Sequence, residues 1–357
     1  MIKIKLVESG FHTLFPYKKA MNQFKEIGIE IILPEDKTDS FDFAFVDHQS
    51  FSNKKVSLEQ STEDGLNLLS KINGDYILVD GQDSPSLIGT FEVFKESNAL
   101  LLLKHSMYKD RSLYNQGWIG GRWYWGTNWE NFDELKYQPT DYDEYSDRIR
   151  LSGTNWLGVN PVNWLDYKQI PKLFDVSAMF GFPSQHKTYE HMLDGKDDVP
   201  RQDYYYDEHR RPAIDILNKS PYMIAKLVNG KRVPMEMYNQ YNLHSKVLFT
   251  PFGFGEMHPR DIESAMYGSI LLKPDMSHID SHPFVYEDGV TYVSCKHDFS
   301  DLEEKIEYCV ENFNELRDEL VTNMRNQYTE KYNPHYLPLY TYNILKSMSI
   351  VQTEEGI

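Results

Sequence analysis

Cysteine is nearly missing: Cys295 and Cys309 are the two in 357 residues. They stand in separate apolar segments, which excludes a disulfide framework or a cysteine-built zinc site. Long hydrophobic runs are also missing, since no stretch approaches the ~20 apolar residues of a membrane span. The N-terminus opens on a strand-like Ile2-Lys3-Ile4-Lys5-Leu6-Val7 and not on a signal peptide. Both absences point to a soluble, cytoplasmic protein. Positive charge is in deficit. With 37 Lys and Arg against 54 Asp and Glu, the net charge is −17, which argues against sequence-independent nucleic-acid binding as the main task.

What is plentiful is aromatic. Phe, Trp and Tyr make up 14% of the chain, with 25 tyrosines, and such rings serve sugar-handling surfaces as well as cores. Apolar content of 40% and charged content of 25% are those of a globular protein. The length allows two domains, each with its own core.

Along the first half, strand-like segments at 2–7, 29–33, 41–47, 75–80 and 99–104 alternate with helical spacing, as over 11–28. This predicts a doubly wound α/β sheet. Ligands of such sheets sit beyond the carboxyl ends of the strands. That selects His12, Asp47 with His48, Asp80 through Asp83, and Lys104 with His105 as polar strand ends around an acceptor cleft. Residues 106–168 hold all six tryptophans and read as an insertion or inter-domain segment, serving either as an acceptor platform or as a plug between domains. Phe174–Gly181 reads as the first strand of a second domain. Arg210 and Arg211 then precede a helix predicted from Ala213, where two cations oppose the dipole and suggest a nearby anion, with Asp207 and Glu208 as the alternative partners.

The most informative stretch is 245–275. Val247–Thr250 is an apolar strand ended by Pro251. Gly253 and Gly255 permit close backbone approaches, Pro259 suits the first turn of a helix, and Gly268 ends that helix before a buried strand at 269–272. A glycine turn feeding a helix N-terminus is a site for phosphate. Arg260 and Glu263, three apart, share one helix face.

Together, Pro251, Phe252, Gly253, Gly255, Glu256, Arg260, Glu263, Gly268, Leu272, Lys273, Pro274 and Asp275, followed by Met276-Ser277-His278, resemble the nucleotide-sugar signature of GT-B-type glycosyltransferases (group 1-like, of viral or bacterial type). The resemblance implies two Rossmann-like domains facing a central cleft. An N-terminal acceptor domain would span 1–168, with the Trp/Tyr-rich insertion at about 106–168. A nucleotide-sugar domain would span 169–333, and a terminal helix at 334–357 would return to the first domain.

The resemblance also implies roles. Glu263 would bind the donor ribose. Arg260, Arg210, Lys246 and the amides around Gly253 and Gly255 would hold the diphosphate, with Glu256, Asp275 and His278 near the donor sugar and residues near Leu227 and Val228 at the nucleobase. Many retaining members carry a glutamate eight residues before the ribose glutamate. Here that position is Gly255, with Glu256 one residue on. The implied reaction moves a sugar from a nucleoside-diphosphate donor to an acceptor hydroxyl, with no metal or cofactor required. If configuration inverts, a base is needed, and Asp80, Asp83, His105 and His12 are the candidates. Domain closure would exclude water. A glycan acceptor is favoured. A modified base in viral DNA, a nucleotide-sugar epimerase and a non-catalytic sugar-binding module remain alternatives.

Overall fold

A computed structural model of the chain describes all residues except 8–11, 37–39, 52–57, 119–121, 126–140, 159–161, 181–201, 227–232, 254 and 349–357. Two parallel sheets organise it. The first takes β1 (Ile2–Val7), β2 (Ile29–Ile32), β3 (Phe43–Asp47), β4 (Asp75–Asp80), β5 (Leu102–Lys104) and β7 (Ile149–Leu151) in the order β2-β1-β3-β4-β5-β7. The second takes β8 (Phe174–Ala178), β9 (Ile224–Lys226), β10 (Ser245–Phe249), β11 (Ile270–Pro274) and β13 (Val293–Cys295) in the order β13-β11-β10-β8-β9. Read from the other edge, the second sheet repeats the first: the second strand lies to one side of the first strand, and the later strands to the other. Each sheet therefore has one point where strand order reverses, between β1 and β3 and between β8 and β10, and ligands enter such sheets there.

Both faces of each sheet are covered, so the central strands are apolar runs without alternation. Val247, Leu248 and Phe249 on β10 are all fully buried, and burial of side chains of this size contributes roughly 1.5–3 kcal/mol each. One face of the first sheet packs on α3 (Leu58–Leu69) and α4 (Thr90–Glu96). The other packs on α1 (Phe15–Lys19), α2 (Met21–Glu26) and the terminal helix α11 (Tyr336–Ser347), whose Leu337 and Leu345 join Leu14, Tyr17 and Phe24 in one core. The second sheet lies between α6 (Gln202–Lys219) with α9 (Leu302–Glu311) on one face and α8 (Pro259–Tyr267) with α10 (Phe313–Lys331) on the other. The chain thus folds as two Rossmann-like layers with the last helix crossing back to the first, the GT-B arrangement.

The 106–168 segment joins the two halves. A short β6 (Met107–Tyr108) pairs antiparallel with β12 (Ile279–Asp280), the Lys109 amide donates to the His278 carbonyl at 2.8 Å, and Arg111 reaches Asp280 at 2.6 Å. Farther on, Asn155 Nδ2 donates to Ser281 Oγ at 2.9 Å and the Pro283 carbonyl at 2.7 Å.

Two expectations for local structure are corrected. The 11–28 region is not one helix but a short 3-10 turn and two helices that break at Ala20. The helix expected from Ala213 begins at Gln202 and carries Pro212 inside it. Arg210 and Arg211 therefore stand mid-helix, where the dipole at the helix start no longer bears on them.

Candidate functional site

The site is built at the reversal point of the second sheet. β8 ends at Ala178 and β10 at Phe249, and they are followed by Met179 and by Thr250 to Gly253, with Gly255 and Glu256 farther on. Arg210 reaches this turn from α6: its Nε donates to the Phe252 carbonyl at 2.7 Å and its Nη2 to the Pro251 carbonyl at 3.4 Å. Its guanidinium lies 5.2 Å from the Phe180 ring centroid. Inside the turn the Gly253 amide donates to the Gly255 carbonyl at 3.1 Å.

α8 begins with a reciprocal cap. His258 Nδ1 accepts from the Arg260 amide at 3.1 Å, and the Asp261 carboxylate accepts from the His258 amide at 3.0 Å. Gly268 closes the helix in the left-handed region at φ 66°, as glycine is suited to do. Within α8, Asp261 is fully buried. Its oxygens accept from Thr250 Oγ1 at 2.9 Å, Lys273 Nζ at 2.6 Å and the Tyr286 hydroxyl at 2.5 Å. Lys273 Nζ also donates to the Glu256 carbonyl at 2.7 Å, so one buried ion pair fixes the end of the glycine turn to the start of the helix.

Arg260 and Glu263 meet through a residue from another helix, Tyr238 of α7 (Met235–Leu243). The Tyr238 hydroxyl accepts from Arg260 Nε at 3.1 Å and donates to Glu263 Oε2 at 2.8 Å. Arg260 also donates to the Met179 carbonyl, across the reversal point. Burial raises the Glu263 carboxyl, and the bonds from Tyr238 and the charge of Arg260 oppose the rise. A guanidinium, a phenol and a carboxylate thus form one hydrogen-bonded row, suited to an anion at one end and hydroxyl donors at the other.

Of the remaining donor-side candidates, Glu256 is 2% exposed and its Oε1 lies 3.7 Å from His278 Nε2. Asp275 spends both carboxylate oxygens on the amide and hydroxyl of Ser277. Lys246 is not brought to the group. It lies at the amino end of β10 and pairs with Asp175 at 2.7 Å, a strand's length from the carboxyl edge. Leu227 and Val228 lie outside the described residues.

The facing edge belongs to the first sheet. Asp80 and Lys104 are fully buried and paired at 2.9 Å, and Lys104 also donates to the Ser86 carbonyl at 2.6 Å. Burial would raise the Asp80 carboxyl, but Lys104, His48 and the Gln82 amide hold it below the usual range. His48 Nδ1 accepts from the Gly81 amide at 3.2 Å. Burial pushes His105 down to about 4, so it is a neutral imidazole at pH 7. Asp83 is exposed, and its backbone touches the other half directly. A Cβ on Gly255 would lie 1.6 Å from the Asp83 carbonyl oxygen. The His12 side chain lies outside the described residues. Of the candidate bases, Asp80 is committed to a cation, His105 is a weak base, and Asp83 stands at the contact between the halves.

Sequence reasoning left out Tyr238 and Asp261. Asp261 had a signal, since His258 and Asp261 stand at the N-cap and third positions around the Pro259 already placed at the helix start. Tyr238 lies 22 residues before Arg260, on a helix with no motif of its own. Among the described residues, no group of three His, Cys, Asp or Glu side chains is placed to hold a metal ion, and no helix is long and apolar enough to cross a membrane.

By fold this is a protein of two Rossmann-like parallel sheets whose carboxyl edges meet where Gly255 stands against Asp83. No family profile and no curated protein matches the chain. Solved structures that resemble it include the HepE protein of Anabaena in complex with UDP-glucose, at 11% identity over 97% of this chain and 100% of that one with a TM-score of 0.41. A glycosyltransferase from Rickettsia africae resembles it at 13% identity over 98% and 99%, TM-score 0.41. TarM does so at 14% identity over 80% of this chain and 58% of that one, TM-score 0.42.

Proposed function

We propose that the protein is a glycosyltransferase that moves a sugar from a nucleoside-diphosphate donor to an acceptor hydroxyl. The observation that carries this reading is the hydrogen-bonded row Arg260–Tyr238–Glu263, with Arg260 also donating to the Met179 carbonyl at the reversal point of the second sheet. The diphosphate lies against Arg260, Arg210 and the turn amides, and Glu263 accepts from the ribose hydroxyls. Arg260 keeps its Nη1 hydrogens without a partner among the described residues, so they remain for an anion.

In the reaction the acceptor oxygen bonds to the anomeric carbon while the bond from that carbon to the diphosphate breaks, and its electron pair leaves with the diphosphate. The charge that develops there is stabilised by cations and amides already in place. The proton of the acceptor goes to a base on the first-sheet edge or to the leaving phosphate. A glycan acceptor suits the net charge of −17 better than a nucleic acid does.

The test is a thermal-shift panel of nucleoside diphosphates and their sugars, followed by donor turnover with Glu263→Ala. Donors should raise the melting temperature of the wild type and fail to raise that of the variant. A panel in which no nucleotide stabilises the wild type removes the reading.

A further inference from the structure

α7, which supplies Tyr238, is seated without an apolar face. Asn242 is its one buried residue, and Met235 and Met237 stand exposed. On the sheet side, Asn242 Oδ1 accepts from Ser177 Oγ at 2.6 Å, and Tyr241 meets Phe174 edge to face with ring centroids 5.3 Å apart. The rest of its hold is polar and runs to α8. Besides the row of Tyr238 with Arg260 and Glu263, the Tyr267 hydroxyl donates to Asn239 Oδ1 at 3.2 Å.

The carboxyl ends of the two helices are joined by a third segment. Lys172, two residues before β8, donates to the Leu243 carbonyl at 2.9 Å, the Tyr267 carbonyl at 2.8 Å and Ser269 Oγ at 3.1 Å. Leu243 and Tyr267 are the last residues of α7 and α8. The last carbonyls of a helix have no partner within it, and a cation there answers the negative end of the dipole. An ammonium has three N–H donors, and Lys172 spends all three on this junction. Burial and the charge of Arg317 lower its ammonium to about 7, and no carboxylate opposes them. At 1.5 Å per residue, the junction lies about 6 Å beyond Glu263 on α8 and about 7.5 Å beyond Tyr238 on α7.

We propose that Lys172 is a positioning residue for the donor: it staples the ends of α7 and α8 so that the Tyr238 hydroxyl stays between Arg260 and Glu263. This rests on the donor reading above and adds a residue that acts on the donor through Tyr238. α8 is seated by its own buried Ile262, Ala265 and Tyr267, so loss of the staple frees α7 and leaves Arg260 where it is.

The experiment is a double-mutant cycle read by calorimetry at pH 6, where the ammonium is intact, with the glucose forms of UDP, TDP, ADP and GDP. The proteins are the wild type, Lys172→Met, Tyr238→Phe, the double variant and Lys172→Arg, and melting temperatures check the fold. With the sugar nucleotide that binds, Lys172→Met and Tyr238→Phe should each weaken affinity about tenfold. The double variant should be about as weak as either one, and not about a hundredfold weaker, because both changes disable the same row. Lys172→Arg keeps a cation and donors at the two helix ends and should stay within about threefold of the wild type. Where Lys172→Met does not fold, Lys172→Gln takes its place with the same expectation. Unchanged affinity on loss of the lysine, losses that multiply in the double variant, or equal loss in the Arg and Met variants overturn this inference and leave the donor reading standing. Binding of none of the four by the wild type ends both.

Discussion

Gly255→Ala should separate the two halves of the molecule without unfolding either. A Cβ at Gly255 would lie 1.6 Å from the Asp83 carbonyl oxygen and 2.4 Å from its carbonyl carbon. The obstacle is backbone, so no side chain can swing aside. Restoring an ordinary contact near 3.4 Å requires 3.4 − 1.6, or roughly 1.8 Å, of displacement between the glycine turn and the loop after β4. Neither flank yields easily, because Lys273 ties the Glu256 carbonyl to Asp261 and Lys104 ties the Ser86 carbonyl to Asp80. A misplacement of about 1 Å in a reacting pair costs on the order of a hundredfold in rate. Sugar transfer should therefore fall by at least that factor. Bare nucleotide should also bind more weakly, because Gly255 belongs to the turn whose amides hold the diphosphate in the proposed reading. Steady-state transfer and nucleotide calorimetry on the same preparation read both quantities. A Gly255→Ala protein with wild-type turnover would show that the Asp83–Gly255 contact does not set the catalytic geometry.

Three further outcomes follow from the site. Lys273→Met leaves Asp261 as a buried carboxylate without its cation, which costs on the order of 3–5 kcal/mol and should appear as a lower urea midpoint with an unchanged m-value. Tyr238→Phe removes the hydroxyl that joins Arg260 to Glu263, and donor affinity should fall about tenfold with stability nearly unchanged; equal donor affinity would take Tyr238 out of the site. Acid should destabilise the protein through His105. Its folded value near 4 lies below an unfolded value near 6.5, so the unfolded chain binds the extra proton, and the stability is present above pH 6.5 and lost as pH falls towards 4. Between pH 7 and 5 this amounts to roughly 2 kcal/mol, and His105→Gln should lose that much less than the wild type over the same range.

The fold was legible where burial leaves a one-dimensional trace. Apolar runs such as 247–249 and 100–103 mark strands covered on both faces, and Gly268 marks a helix end that needs a positive φ. The grouping of Pro251, Phe252, Gly253 and Gly255 with Arg260 and Glu263 was legible because it is local, carried by one turn and one helix. What escaped depends on contacts between distant segments. Pro212 suggested a helix start, yet α6 accommodates it ten residues past Gln202. Lys246 was placed by its position in a motif, but the direction of β10 sets it at the far end of the sheet. Asp80 was a fair candidate base as a strand-end carboxylate. Only the fold shows Lys104 beside it, 24 residues on.

The connecting segment changes how the cleft can work. Two Rossmann-like halves joined by one linker and a returning helix would open as a hinge. Here β6 pairs with β12, Arg111 pairs with Asp280, and Asn155 holds the chain at Ser281 and Pro283. The same stretch is built into the first half as well. Met107, Tyr108, Tyr114 and Tyr142 belong to the core of the first sheet, β7 is that sheet's edge strand, and the Tyr114 hydroxyl donates to the Pro85 carbonyl at 3.0 Å. Trp123 and Tyr124 pack on the second half, against His278, His209 and Phe252. The described part of this stretch therefore clamps the two halves, and a wide hinge opening would have to part β6 from β12 and Arg111 from Asp280.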